Sequence, residues 1–305
     1  WAVGWIARIA RATAVAAPPL PGPSGGAGGL ALLAVLLVGA VAVVTARRAG
    51  DRVARVCAAV ALVGGLVVAA PPASVPLAAA WPPTGWRVVM CDVGQGDATV
   101  LATAPGEAVV VDVGPDPVLL DRCLRRLGVV RVPLLVLTHF HADHVEGLPG
   151  LLRGRAVGTV LVSPLEEPPG ETSRVRRWLR GSGATMRTAA PGDRWTVGAA
   201  TLRVLWPQRL IRGEGSDPNN ASVVVRADLG ETSVLLCGDL ETAAQEAVLA
   251  LGEVTQVDVV KVPHHGSAKQ APGWAITARP RVALIGVGVD NDYGHPSPRT
   301  LADYR

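Results

Sequence analysis

Two long apolar runs come first. Residues 25–44 carry no charged side chain, and residues 53–70 carry one, Arg55. A bilayer-spanning helix needs about 20 consecutive apolar residues, so the pattern predicts about two transmembrane α-helices, near 25–45 and 53–70. The connector between them sets four arginines, Arg47, Arg48, Arg52 and Arg55, against one acid, Asp51. The positive-inside rule makes that connector cytoplasmic, and the chain beyond residue 71 then lies outside the cytoplasmic membrane. Upstream, Trp1, Trp5, Ile6 and Ile9 alternate with Arg8 and Arg11. That stretch reads either as an interfacial helix or as the tail of a preceding membrane segment. Residues 71–83, rich in proline and alanine, form an extended linker that finishes within 81–85.

From residue 86 the pattern shortens. Apolar strand-length runs occupy 87–91, 98–103, 109–113, 134–137, 159–162, 202–206, 223–227, 233–237, 257–262 and 282–287, while helical spacing appears at 118–127, 173–180 and 241–251. Strands outnumber helices and several are joined by short turns, so the spacing predicts a mixed-sheet α/β sandwich rather than an alternating doubly wound sheet. The division is therefore a membrane segment at 1–80 and a soluble domain at 86–305. The chain starts with Trp1 rather than methionine and stops just after a helix-like start at 297–305, so it reads as a fragment whose last domain is truncated at its C-terminus.

Composition changes one part of that picture. The whole chain is basic, with a sequence pI near 9.2. However, residues 1–80 hold six arginines and one acid, leaving 23 basic and 24 acidic residues beyond them. The soluble part is nearly neutral, so the high pI says nothing in favour of a basic nucleic-acid-binding face and leaves a localised patch as the open reading. Four cysteines show no CxxC spacing; Cys91 and Cys237 lie in apolar runs and read as small buried thiols, and the redox compartment is left undecided.

The chemistry gathers at strand ends. Three of six histidines, His139, His141 and His144, fall within six positions directly after the run 134–137, with Asp143 among them. His139 and His141 alternate with Phe140, so both imidazoles can face one side of an extended backbone. Neutral imidazole and carboxylate at this spacing are ligands for zinc, manganese or iron. Asp239 and the pair His264-His265 emerge after two further apolar runs. Adding Asp239 and one of those histidines supplies enough nitrogen and oxygen ligands for two ions with a bridging carboxylate, a hydrolase's arrangement. His295 has four readings: ligand, general acid, phosphate contact or structural loop residue.

The ordered motifs DVGQGD (92–97), VVVDVG (109–114), THFHADH (138–144), NNASVVV (219–225), LLCGD (235–239), KVPHHGS (261–267) and YGHP (293–296) resemble the metallo-β-lactamase-like domain of the ComEC family of competence DNA-uptake channels. The resemblance implies an αββα fold following the membrane helices of a polytopic channel domain. It implies an extracytoplasmic, metal-dependent phosphodiesterase that degrades the non-transported DNA strand. Its partners would be DNA, the channel domain of the same multi-pass protein in the cytoplasmic membrane and other competence proteins, with two divalent metal ions, manganese or zinc, and no dinucleotide cofactor. Residue by residue, His139 and His141 would bind the first metal, Asp143 and His144 the second with His264 preferred over His265, and Asp239 would bridge. Asp143, Asp239 and His295 are the catalytic candidates. Asp92, Asp97 and Asp112 are expected to orient ligands or to ligate directly, with orientation favoured for Asp92 and Asp112. Lys261 is one of only two lysines, and its place before the histidines fits a site role or a strand edge. One departure matters: the histidine such hydrolases commonly supply before the bridging aspartate is absent, and Asn219 or Asn220 stands there. An amide oxygen is a weaker and harder ligand than imidazole, so the first site is expected to bind less tightly and to tilt toward manganese. Two alternatives remain: a hydrolase of the same fold acting on a small ester, lactam or thioester, or a non-catalytic DNA-binding gate.

Overall fold

Alternation along the strands sets the architecture. The computed structural model describes residues 81–305. The two apolar runs and their arginine connector lie outside the described residues, and among the described residues no helix is long and apolar enough to cross a membrane. In β4 (Arg131–Leu137), Leu134 and Val136 face one way and Leu135 and Leu137 the other, all buried. Leu134 and Val136 join a core with Leu202, Val204, Val225, Val234 and Leu236 of a second sheet. Leu135 and Leu137 join another core under helices, with Leu120, Leu124, Leu148, Leu151 and Val175. The second sheet repeats the scheme, with Leu235, Val260 and Val262 packed on Ala244, Val248 and Trp274. Strands buried on both faces leave no room for a polar side, which makes the fold a four-layer αββα sandwich.

The first sheet runs β1 (Val88–Met90), β2 (Thr99–Ala104), β3 (Glu107–Val111), β4, β5 (Ala156–Val162) and β6 (Thr185–Thr188) in that order, antiparallel from β1 to β3 and parallel from β3 to β6. The second contains β7 (Arg194–Val197), β8 (Ala200–Trp206), β9 (Val224–Leu229), β10 (Thr232–Leu236), β11 (Val259–Lys261) and β12 (Val282–Leu284), antiparallel from β7 to β10 and parallel from β10 to β12. Helix α1 (Pro117–Arg126) is followed by α2 (Ala142–Val145), α3 (Leu148–Leu152), α4 (Pro169–Leu179), α5 (Asp217–Asn220), α6 (Thr242–Ala250), α7 (Trp274–Ala278) and α8 (Pro298–Asp303). Pro133 sits in the middle of central β4 although it has no N–H to donate. It is accommodated because the β3–β4 register slips by one residue there, where partners pass from Glu107–Arg131 to Val110–Leu135.

Three expectations change. β6 and β7 are strands that no apolar run announces. The strand expected at 282–287 ends at Leu284, because the chain beyond it packs on the loop at 92–97: a Cβ on Gly286 would meet the Gly96 carbonyl oxygen at 2.4 Å. Cys91 is not a free thiol; it is bonded to Cys123 of α1, 32 residues on, whereas Cys237 is free and buried. Closing a loop of that length restricts the unfolded chain, so reduction, or Cys123→Ser with Cys91→Ser, is expected to cost about 2–4 kcal/mol. Unfolding in urea with and without reductant measures it.

Candidate metal centre

β3, β4, β10 and β11 end on the same side of the sandwich, and each hands its next residues to the site. Asp112 follows β3 with a positive φ of 59°. Its carboxylate accepts hydrogen bonds from the Thr138 backbone N–H at 2.8 Å and the Thr138 hydroxyl at 2.9 Å, and it faces His144 Nδ1 at 2.9 Å. One buried carboxylate thereby ties two strand ends together and orients an imidazole. His139 turns its Nδ1 toward the Thr138 and Ser222 hydroxyls at 3.2 and 3.3 Å. Gly238, with φ 51°, permits the bend from β10 to Asp239, where any Cβ would lie 2.7 Å from Thr138 Oγ1. Gly96 lets the 92–97 loop lie against the backbone of Asp143, whose carbonyl oxygen a Cβ would meet at 2.3 Å.

The side chains converge on Asp239. Its Oδ2 is 3.2 Å from His265 Nε2, 3.3 Å from His144 Nε2 and 3.9 Å from His264 Nε2, while Oδ1 is 3.3 Å from the Lys261 ammonium. His265 Nε2 also lies 3.2 Å from Asp143 Oδ2, and His265 Nδ1 faces the Gly286 carbonyl at 2.9 Å. Asp97, His144, Asp239 and His265 are all buried, with one potential ligand atom of each within 4.8 Å of the others. Lys261 is buried too; it contacts Asp97 and donates to the Gly238 carbonyl at 2.9 Å.

Several residues fall elsewhere than expected. Asp92 is exposed and makes none of the site's hydrogen bonds among the described residues. β1 stops at Met90, and the glycine-rich loop turns Asp97 inward instead. His265, favoured less, is the buried member of its pair; the His264 side chain is 19% exposed and has Nδ1 3.5 Å from Glu241 Oε1. Asn220 is buried, but its amide nitrogen donates to the Glu214 carbonyl at 2.8 Å. His141 is half-buried, its ring 4.6 Å from that of His139. His295 stands at the mouth, its ring 5.3 Å from that of His264. Glu241, absent from the expectations, is 97% buried, accepting from Asn219 Nδ2 at 3.3 Å and from Lys269 Nζ at 3.0 Å. A glutamate opening a helix looks like an ordinary cap in sequence, and only its burial marks it.

Charge is distributed unevenly. Burial alone would depress the His144 imidazole, but Asp239, Asp143 and Asp112 outweigh it and hold its pKa well above the usual value. His265 is raised as well, its burial outweighed by Asp239 and Asp97. Burial would raise Asp239, yet His144, His265 and Lys261 hold it well below the carboxylate range. Burial leaves His139, His141 and His264 depressed, hence neutral, and the same cause depresses His295 and raises Asp112. A cation binding here must displace protons from His144 and His265, so affinity is expected to rise with pH, by about tenfold per pH unit for each proton released. Zinc titrations at pH 6, 7 and 8, in buffers of different ionisation enthalpy, count those protons.

The donor set fits a divalent metal. His139 Nε2 is buried with no hydrogen-bond partner, a costly condition for a neutral imidazole nitrogen unless a cation takes its lone pair. A family model described as the metallo-beta-lactamase superfamily matches residues 91–280. The chain is similar to ComE operon protein 3 of Bacillus subtilis, 29% identical over 243 residues covering 70% of this chain and 30% of that protein. It is similar to Recombination protein 2 of Haemophilus influenzae, 30% identical over 219 residues, 69% of this chain and 25% of that one. The chain thus spans less than a third of the length of these relatives. Among solved structures, the metallo-beta-lactamase fold protein YhfI from Bacillus subtilis aligns with a TM-score of 0.47 and 10% identity, over 70% of this chain and 92% of that one.

Proposed function

This chain belongs to the metallo-beta-lactamase superfamily, and from that premise we propose that its soluble domain is a metal-dependent phosphodiesterase acting on DNA during competence, outside the cytoplasmic membrane. The observation that carries the reading is the convergence of His144 and His265 on Asp239, with Asp143 against His265, at one end of the sandwich. His139 and His141 would hold one divalent ion, Asp143, His144 and His265 a second, and Asp239 both. Such a pair supplies a hydroxide nucleophile and neutralises charge on a phosphoryl oxygen. The chain's own residues do the rest. Asp112 fixes the His144 tautomer, Lys261 keeps Asp97 and Asp239 ionised, and Asp143, at the exposed side of the cluster, orients the attacking water.

Two further observations support DNA and the outer face. From Arg174 to Arg194 the sequence has six arginines and one acid, Asp193. Arg176, Arg177, Arg180, Arg187 and Arg194 are exposed there, a local polyanion-binding stripe on a domain that is neutral overall. The Cys91–Cys123 disulfide fits an oxidising compartment, which agrees with the orientation that the arginine connector implies. On this reading the 1–80 segment belongs to the channel domain, with other competence proteins delivering the DNA, and the domain degrades the strand that is not transported.

The test is cleavage of end-labelled DNA by the purified chain with manganese or zinc, beside Asp143→Ala. Metal-dependent cleavage that the variant loses is expected. A folded, metal-loaded wild type that leaves DNA intact overturns the reading, and hydrolysis of ester reporters alone would favour a small-molecule substrate.

A further inference from the structure

We propose that the adjacent histidines serve different metal ions: His265 joins Asp143 and His144 at the second, while His264, oriented by Glu241, completes the first with His139 and His141. The proposal rests on the metal-centre reading and supplies the imidazole that the motifs leave missing. No histidine lies between residues 145 and 263, so a third one for the first ion must come from this pair or from His295.

Geometry favours His264. Its Nε2 approaches the same Asp239 oxygen as those of His144 and His265, at 3.9 Å against 3.3 and 3.2 Å. Its other nitrogen, Nδ1, is buried without a hydrogen-bond partner, and the carboxylate facing it is that of Glu241, whose Oε1 lies 3.5 Å away. A carboxylate on that side favours the proton on Nδ1 and leaves the Nε2 lone pair aimed at the cluster, a looser version of the 2.9 Å hydrogen bond between Asp112 and His144. Glu241 is itself held: Asn219 Nδ2 donates to it, Lys269 Nζ lies 3.0 and 3.1 Å from its two oxygens, and the Ser216 N–H donates to Oε2 at 3.3 Å. Three groups anchoring a buried carboxylate that touches no other imidazole among the described residues point to one job, positioning His264.

The backbone carries a second, independent mark. His264 and His265 both have positive φ, 48° and 51°, a conformation that strains non-glycine residues and persists where the surroundings hold it. The turn splays the two rings, centroids 6.1 Å apart and planes at 67°. One imidazole is thereby directed to the Asp143 side and the other to the Glu241 and Asn219 side. His295 has no such support. Its ring lies 5.3 Å from that of His264, and its buried Nδ1 has neither a hydrogen-bond partner nor, among the described residues, a carboxylate facing it. With three imidazoles the first site is zinc-competent, which replaces the expectation of a weak, manganese-leaning one.

The test is metal content and affinity in the whole chain, measured by mass spectrometry after gel filtration and by calorimetry with zinc alone. Wild type should hold two ions, and His264→Ala and His265→Ala one each. Cobalt spectra of the two variants should differ, because different sites remain filled. Glu241→Gln should weaken one site by about 10–100-fold while leaving the other unchanged. Two ions at wild-type affinity in His264→Ala would overturn the proposal, as would a Glu241→Gln variant identical to wild type. Should a variant fail to fold, paramagnetic proton spectra of the cobalt-loaded wild type decide. Ring N–H signals from five ligating histidines are expected, and four would refute it. None of these readouts depends on DNA cleavage, and a wild type that binds no metal overturns the metal-centre reading as well.

Discussion

Asp239→Asn is expected to lower phosphodiester hydrolysis by on the order of a thousandfold and to empty both metal sites at micromolar metal. The substitution keeps the shape of the side chain and removes the charge on which three imidazoles converge. Metal ions contribute several kcal/mol of transition-state stabilisation, and at 1.36 kcal/mol per factor of ten, a loss of about 4 kcal/mol is about a thousandfold. In the variant the Lys261 ammonium, 3.3 Å from Oδ1, would face an amide, so the site becomes more positive as well as less able to bridge. Single-turnover rates at saturating DNA, together with metal content, distinguish this from a binding defect. Hydrolysis within tenfold of wild type would show that Asp239 does not bridge.

The ComEC resemblance read from the motifs is borne out by the competence and recombination proteins that the chain matches, and the αββα sandwich by the two mixed sheets. Both were legible because β4 and β10 are apolar on two faces and their first polar residues come all at once. β6 and β7 were not legible. Each is four residues at a sheet edge and mostly exposed, as with Thr185, Arg187 and Arg194, so no apolar run is needed to form it. The Cys91–Cys123 pairing was hidden for a different reason, since spacing cannot reveal which cysteines meet when four are present. Asp92 and Asp97 flank the same glycines, and only the φ values of Gly94 and Gly96 decide which one turns inward. Likewise the order of His264 and His265 carries no direction until the left-handed turn supplies it.

Lys261→Met should make stability depend on metal. Lys261 is 2% exposed and stands between Asp97 and Asp239, so its removal leaves two buried carboxylates facing each other without their cation. Breaking a buried pair in this way costs about 3–5 kcal/mol, and the metal-free variant should melt well below metal-free wild type. Divalent metal would restore most of the difference by neutralising Asp239. The pH window follows from the shifts. Burial would depress the Lys261 ammonium, but Asp97 and Asp239 raise its pKa, so its contribution is full below the unfolded value of about 10.4 and is lost only as pH climbs through the higher folded value. Burial would raise Asp97, but Lys261 and the histidines lower it, so its share is present above about pH 4 and lost as pH falls through the lower folded value. The variant's deficit should therefore be flat from about pH 6 to 9. Arg176→Met provides the contrast: its side chain and that of its partner Glu166 are 48% and 44% exposed, and the cost should stay near or below about 1 kcal/mol. Melting curves of both variants, with chelator and with zinc, would expose an error in this assignment if Lys261→Met lost no more than Arg176→Met.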